Sequence, residues 1–146
     1  MLLLGTKNFA SQALAVDAPI NFGNVYRRFD KKGACGLRAF ELNGTAINLQ
    51  HQGIYHITAV ITFTAPAAGD VSFQLFENST AVTGAVVTST VTTATTETNT
   101  VTLDYYILVD RDFILNTSST SKVISIVNTG VASTVTNVVV NIDKVV

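Results

Sequence analysis

The 146-residue sequence has few residues that could fix a fold covalently, and it carries little charge. It contains one cysteine, two prolines and no tryptophan, and charged residues make up 13% of the chain. A lone Cys35 cannot close an intrachain disulfide, so packing alone must hold the fold. Globular domains average about 25% charged residues. A chain well below that average has few groups to keep an isolated surface in water, which favours association between copies.

Other absences exclude whole classes of protein. Thr, Ser and Asn interrupt every Val-rich stretch before it approaches the roughly 18 apolar residues of a membrane span. The opening Met1–Gly5 has no basic region and is too short for the core of a secretory signal. The net charge of −1 and the pI near 6.0 argue against nucleic-acid binding. We therefore expect no membrane partner, no nucleic-acid partner and no cofactor.

The composition is that of β-strands, with 21 Thr and 19 Val. From Ile54 to Thr64 every odd position is apolar and most even positions are polar, which indicates a half-buried strand. Similar alternation predicts strands at Asp70–Glu77, Thr100–Val109, Lys122–Asn128 and Val135–Lys144. A turn over 65–69 is predicted to join the first two strands as a hairpin. Weaker candidates for strands are Ala13–Val16, Ile20–Phe22, Val25–Phe29, Leu37–Leu42, Ala46–Leu49 and parts of Thr80–Thr93.

No segment shows a sustained apolar stripe with the helical period of 3.6 residues. We therefore predict an all-β chain, an antiparallel β-sandwich of the jelly-roll type with about 8–10 strands. The length suits a single domain over residues 1–146. The first 18 residues show no strong pattern, and one interpretation of them is an extended arm that reaches a neighbouring copy.

Apolar residues also occupy the predicted outward faces of several strands. A monomer rarely exposes a large contiguous apolar patch, so these residues are candidates for an interface between copies, whereas scattered exposure is the alternative interpretation. The candidates for the oligomer interface are Val60, Phe76, Tyr106, Leu108, Val123, Val127 and Val139.

The segment from Arg27 to Glu41 carries five basic and two acidic residues, a local charge of +3 in a chain of net charge −1. Two interpretations remain open. The group is either a solvated loop or a contact with an acidic partner surface. The candidates for this contact are Arg27, Arg28, Lys31 and Lys32.

Catalytic chemistry has little support in the sequence. His51 or His56 could act as a base, but neither a Gly-x-Ser-x-Gly motif nor a catalytic cysteine signature is present. Asp110 and Asp112 are two residues apart and could offer oxygen ligands to calcium, but the rest of a calcium-loop pattern is missing. We predict a non-enzymatic protein without catalytic residues, a cofactor site or a metal site.

Five blocks of the chain resemble small proteins encoded by phages and prophages of Gram-positive bacteria. These proteins are similar in turn to the trimeric jelly rolls of complement globular heads, tumour necrosis factors and collagen-like spore-surface proteins. The resemblance covers about residues 10–146, and its blocks are Ala10–Val16 (ASQALAV), Ile20–Arg28 (INFGNVYRR), Gly53–Ile57 (GIYHI), Phe63–Leu75 (FTAPAAGDVSFQL) and Val131–Asn137 (VASTVTN).

The resemblance implies a homotrimeric structural protein of the virion surface, made in the cytoplasm of a bacterial host. It would be a head decoration or head fibre, and its partner would be the major capsid protein or another virion protein. Fold alone does not establish such a role. The alternative is a host-adhesion knob that binds carbohydrate or a receptor through exposed aromatic rings, for which the candidates are Phe29, Phe40 and Phe113.

Overall fold

The computed structural model of the chain describes residues 2–30, 38–110 and 121–146. The described residues form eleven strands. In chain order, the strands are β1 (Leu2–Asn8), β2 (Gln12–Leu14), β3 (Asn24–Phe29), β4 (Phe40–Asn43), β5 (Ala46–Leu49), β6 (Gly53–Thr64), β7 (Gly69–Glu77), β8 (Thr80–Val91), β9 (Asn99–Val109), β10 (Lys122–Asn128) and β11 (Ser133–Lys144).

The strands form two antiparallel sheets that pack face to face, which confirms the predicted all-β sandwich. Sheet A has the order β3-β1-β11-β6-β9, with the short β2 also paired to β11. Sheet B has the order β4-β5-β10-β7-β8. All five strands predicted with the clearest alternation are confirmed, with ends that differ by one or two residues.

The core lies between the sheets and is built from the inward half of each alternating strand. Tyr55 and Ile57 of β6 and Phe73 of β7 are completely buried. The ring of Phe63 meets that of Phe73 edge-on across the two sheets, with centroids 5.4 Å apart. Because each strand has one apolar face, a sandwich buries one side of each sheet and leaves the other side free.

The predicted hairpin between Ile54–Thr64 and Asp70–Glu77 is wrong. The first segment is β6 of sheet A, paired with β11 and β9, and the second is β7 of sheet B, paired with β10 and β8. The turn at 65–69 therefore carries the chain from one sheet to the other. Alternation and a turn signal cannot distinguish this crossing from a hairpin, because both need two amphipathic strands and a short connection.

The N-terminal residues do not form an extended arm along their whole length. Residues 2–8 form β1, which lies inside sheet A between β3 and β11. Further on, Asp17 N–H donates to Asn128 O at 2.7 Å, and Ile20 N–H donates to Ile126 O at 2.8 Å. Residues 17–20 thus run along β10, and the buried Asn128 side chain adds a hydrogen bond from Nδ2 to Val131 O at 2.9 Å.

Candidate functional site

The outer face of sheet A, the side turned away from sheet B, contains the largest group of exposed apolar residues on either sheet face. Its side chains lie in rows that cross the sheet, because the strands are in antiparallel register. Three rows set its character: Leu3–Asp143–His56–Tyr106, Gly5–Asn141–Thr58–Asp104 and Lys7–Val139–Val60–Thr102.

Apolar exposure on this face concentrates on β6 and β9. Tyr106 is 61% exposed and Leu108 is 52% exposed, and both lie on β9 at the edge of the sheet. Ile54 pairs directly with Leu108, and Val60 pairs directly with Val139 one strand further in. These residues form two apolar groups on either side of the polar row that contains Thr58.

The seven predicted interface residues divide between the two outer faces. Val60, Tyr106, Leu108 and Val139 lie on the outer face of sheet A, where Val60 neighbours Val139 and Tyr106 neighbours Leu108. The pairing of β10 with β5 and β7 places Phe76 and Val123 on the outer face of sheet B instead. Val127 is only 8% exposed, beside the segment that bridges Pro19 to it, so it offers a second copy almost no surface.

A polar cluster lies between the apolar groups. The imidazole of His56 points Nε2 at Asp104 Oδ1, 2.5 Å away, and Nδ1 at Asp143 Oδ1, 3.5 Å away. The ring also stacks on Tyr106, with centroids 4.7 Å apart. His56, Asp104 and Asp143 come from β6, β9 and β11, so the register of three neighbouring strands brings their side chains together.

This cluster does not have the arrangement of a catalytic base. Both ring nitrogens of His56 face carboxylates, which leaves neither nitrogen to take a proton from a hydroxyl or thiol nucleophile. Within residues 2–30, 38–110 and 121–146, no group of three or more His, Cys, Asp or Glu side chains is placed to hold a metal ion. Cys35 and Asp112, considered above for chemistry, lie outside the described residues.

The other side of the same face is aromatic and basic. Gly5 has no side chain, and the ring of Tyr26 lies over it: a Cβ there would come within 2.9 Å of the ring. The Tyr26 hydroxyl donates to Asn141 Oδ1 at 2.7 Å. Lys7 Nζ lies 5.5 Å from the centre of the Tyr26 ring, and Arg27 Cζ lies 5.9 Å from it, within the range of cation–π attraction.

The two described residues of the predicted basic group, Arg27 and Arg28, point to opposite faces of sheet A. Arg27 pairs with Gly5 and shares the outer face of sheet A, where it is exposed. Arg28 pairs with Leu4, a core residue, so it turns toward the other face and is half-buried. Lys31 and Lys32 lie outside the described residues.

The outer face of sheet B is more polar than that of sheet A, and polar side chains on it form hydrogen bonds within the protomer. Ser72 Oγ and Thr88 Oγ1 are hydrogen-bonded at 2.7 Å, and Gln74 Nε2 donates to Val82 O at 3.1 Å. A shallow cavity of about 180 Å³ opens on this face. Its lining contains a carboxylate and two amides but no aromatic ring on which a sugar could stack; the lining residues are Glu41, Asn43, Ala46, Asn48 and Val123.

The prediction that Phe40 is one of the aromatic rings that contact carbohydrate is wrong. Phe40 is completely buried and packs edge-on against Tyr55 at 5.7 Å between centroids, because β4 turns this side chain into the core. Phe29 is 56% exposed at the end of β3. Phe113 lies outside the described residues.

Alternation along each strand predicts that His56, Asp104 and Asp143 point outward. It does not predict that the three side chains lie next to one another. The missing information is strand order: β6 lies between β9 and β11, which are distant in the sequence. The same holds for Tyr26 and Gly5, whose contact follows from the pairing of β1 with β3. Gly5 is a signal of a close approach only once Leu2–Asn8 is known to be a strand, because a glycine inside a strand often marks such a point.

In the described part of the chain, no helix has the length and apolarity needed to cross a membrane. No family model matches the chain, and no curated protein sequence matches it.

Solved structures do resemble it. The Eiger TNF of S. frugiperda is 9% identical with a TM-score of 0.66, and the similarity covers 99% of this chain and 91% of that one. The globular domain of zebrafish complement 1qA protein is 9% identical with a TM-score of 0.61, over 100% of this chain and 98% of that one. The PRD1 vertex protein P5 is 17% identical with a TM-score of 0.52, over 97% and 93%. The chain therefore has the jelly-roll fold that its sequence resemblance implied.

Proposed function

We propose that this protein is a non-enzymatic structural component of a phage virion, a homotrimer that decorates the head or forms a head fibre. The observation that carries the proposal is the outer face of sheet A, where the exposed Tyr106 and Leu108 lie beside Ile54 in a jelly-roll sandwich. The sequence resemblance to trimeric jelly rolls supports three as the number of copies.

Burial of this face supplies the driving force for assembly. Apolar surface removed from water contributes about 25 cal/mol per Å² before the costs of association. Tyrosine is enriched at the centres of protein interfaces, because its ring buries a large area while its hydroxyl can still find a partner. Closed rotational symmetry then allows each copy to cover the face of a neighbour.

The first experiment measures solution mass by light scattering after size-exclusion chromatography, across a dilution series. We expect a mass of three 15.5-kDa chains that persists on dilution. A monomer at every concentration would refute the trimer.

The virion location rests on the sequence resemblance and is compatible with the likeness in fold to a vertex protein. A trimer also fits a capsid, because the three-fold positions of a shell offer many equivalent sites to one small protein. The basic segment is the proposed contact with an acidic capsid surface, through Arg27, Arg28, Lys31 and Lys32.

Particles that lack this protein provide the test. The purified protein should bind them, and the shell should remain intact without it. Lys31→Glu combined with Lys32→Glu should weaken binding at physiological salt while leaving the solution mass unchanged, which serves as the control for assembly. Binding equal to that of the wild type would exclude the basic segment as the contact, and a shell that collapses without the chain would contradict a decorating role.

Of the three rings predicted for the carbohydrate-binding alternative, Phe29 is exposed and Phe40 is buried, and the cavity on sheet B has no aromatic lining. A glycan array distinguishes the two functions. An empty array together with stable attachment to particles supports decoration, whereas specific binding of a glycan that Phe29→Ala removes would favour adhesion.

A further inference from the structure

The charges on the outer face of sheet A are separated by sign. Among the described strands of this sheet, the outward cations are Lys7 on β1 and Arg27 on β3, and the outward carboxylates are Asp143 on β11 and Asp104 on β9. β3 and β9 are the two ends of the strand order. The two cations therefore lie on the two strands at one edge of the sheet and Asp104 lies on the strand at the opposite edge, while Asp143 lies on the central strand β11.

The cations have no ionic partner in the described part of their own protomer. Lys7 and Arg27 are exposed, and their contacts there are with the rings of Tyr26 and Phe9 rather than with a carboxylate. Neighbouring strands are about 4.8 Å apart, so β1 and β9 are separated by about 14 Å and β3 and β9 by about 19 Å. Neither cation can reach Asp104 within one copy.

Asp104 also keeps capacity for a second partner. One of its oxygens faces His56, yet its side chain is 59% exposed at the edge of the sheet. Tyr106 and Leu108 follow it on the same face of β9 and are both more than half exposed. A neighbour that covered these apolar side chains would exclude water around Asp104, and charges attract more strongly where water is excluded.

We propose that the interface between copies is formed head to tail, with the basic β1–β3 edge of one copy, Lys7 and Arg27, placed against Asp104 on the β9 edge of the next. The occupant of each edge is a second copy of this chain. Such an interface uses two different surfaces of each copy, and it closes into a ring when the rotation between copies is a whole fraction of a turn. This inference rests on the proposed homotrimer and names the residues that hold it.

One consequence concerns the partner on the virion. If Arg27 lies between copies, it is not available to a capsid protein. The contact proposed above then falls to the rest of the basic segment.

Charge exchange tests the pairing. Arg27→Asp and Asp104→Arg should each raise the protein concentration at which half of the trimer dissociates by about tenfold or more, because each places like charges against one another. The double variant, which carries both changes, should return to within about threefold of the wild type, since the pair reforms with its charges exchanged. High ionic strength should reduce the effect of both single variants.

Glu41→Arg provides the matched control. It makes the same charge change as Asp104→Arg, but Glu41 is an exposed residue of β4 in sheet B whose side chain accepts a hydrogen bond from Gln50. Combined with Arg27→Asp, it should not restore the trimer. Circular dichroism spectra and melting temperatures close to those of the wild type verify that each variant folds.

The outcomes separate the two proposals. Rescue by the double variant but not by the control supports head-to-tail pairing. A wild-type trimer that tolerates both single reversals would overturn the pairing and leave the trimer standing. A wild-type monomer would overturn both, and a dimer would overturn the ring.

Discussion

The two outer faces of the sandwich have similar backbones but different side chains. On sheet A, Tyr106 and Leu108 are 61% and 52% exposed next to each other on an edge strand. On sheet B, the exposed valines Val86 and Val123 lie on β8 and β10, with β7 between them. Scattered apolar residues are normal on a monomer, whereas neighbouring ones mark a surface that another molecule covers.

The polar groups of the two outer faces also differ, in whether they have partners within the protomer. Ser72 and Thr88 on sheet B are small hydroxyls that satisfy each other. On sheet A, the charges of Lys7 and Arg27 have no carboxylate partner in the described part of the protomer, whereas the exposed Glu41 of sheet B accepts a hydrogen bond from Gln50. A face whose polar groups are already paired can remain in water, while a face with charges separated by sign gains from a neighbour. The difference favours the outer face of sheet A as the location of the proposed interface.

The largest effect on trimer stability is expected when a charge is placed on the edge strand β9 of sheet A, compared with the edge strand β8 of sheet B. Leu108→Glu on β9 should weaken the trimer by about 100-fold or more, because it removes an apolar side chain worth about 1.5–3 kcal/mol and would bury a charge in each interface. Val86→Glu on β8 makes a comparable change at a position that is 46% exposed, and should leave the solution mass unchanged. Sedimentation equilibrium of both variants measures the contrast. Equal loss of the trimer in both would show that the two faces contribute alike.

A second test separates the outer face of sheet A from the core beneath it, through two adjacent residues of β6. His56 faces outward, whereas Tyr55 is completely buried and donates its hydroxyl proton to His51 O at 2.6 Å. Burial raises the pKa of Tyr55 from 10.0 to about 12. The folded protein therefore holds the phenolic proton more tightly than the unfolded chain does.

The stability from the neutral phenol of Tyr55 is fully present below pH 10 and is lost as the pH rises toward 12. The loss should be on the order of 2–3 kcal/mol. Urea unfolding at several alkaline pH values measures it. Tyr55→Phe should lose about 1 kcal/mol at neutral pH with the hydrogen bond, but should show a shallower decline between pH 10 and 12 than the wild type. Parallel declines in the two proteins would mean that other groups cause the alkaline loss.

The third test concerns the place where Tyr26 crosses Gly5 on sheet A. Gly5→Ala should destabilise the fold by about 1 kcal/mol, because the added methyl would lie 2.9 Å from the Tyr26 ring and displace it from Asn141. In a Tyr26→Ala background the same substitution should be neutral or slightly stabilising, since alanine suits a strand better than glycine. Thermal unfolding of the four proteins completes the cycle. Additive effects would show that the ring does not limit the space at Gly5.

How much of this structure the sequence predicts depends on whether the feature is set by neighbouring residues or by residues far apart in the chain. Period-two alternation is local, so it predicted β6, β9 and β11 and the outward direction of Asp104 and Asp143. The resemblance to jelly rolls supplied the sandwich. Neither source carried the order of the strands, because pairing between β11 and β6 joins residues far apart in the chain. The hairpin at 65–69 failed for this reason.

The same limit explains why the sequence predicted only part of the candidate site. Outward apolar residues were predicted from single strands, so residues of both sheets entered one group, and only the pairing pattern separates Val60 from Val123. β1 was missed because Leu2–Asn8 mixes apolar and polar residues without regular alternation, although Leu4 and Thr6 are both buried. A buried threonine and an outward glycine obscure the alternation that identifies a strand.

The smallest effect is expected at two similar pairs of hydroxyl groups, one pair on the outer face of each sheet. Thr88 on β8 bonds Ser72 at 2.7 Å, and Thr100 on β9 bonds Thr62 at 3.0 Å. Thr88→Ala and Thr100→Ala should each cost the protomer less than about 1 kcal/mol, because exposed hydroxyls exchange this bond for water. Thr100→Ala should in addition weaken the trimer by about twofold to threefold, since it leaves the Thr62 hydroxyl without its partner on a face that a second copy excludes from water. Dissociation curves that shift equally for both variants would place sheet B in the interface as well.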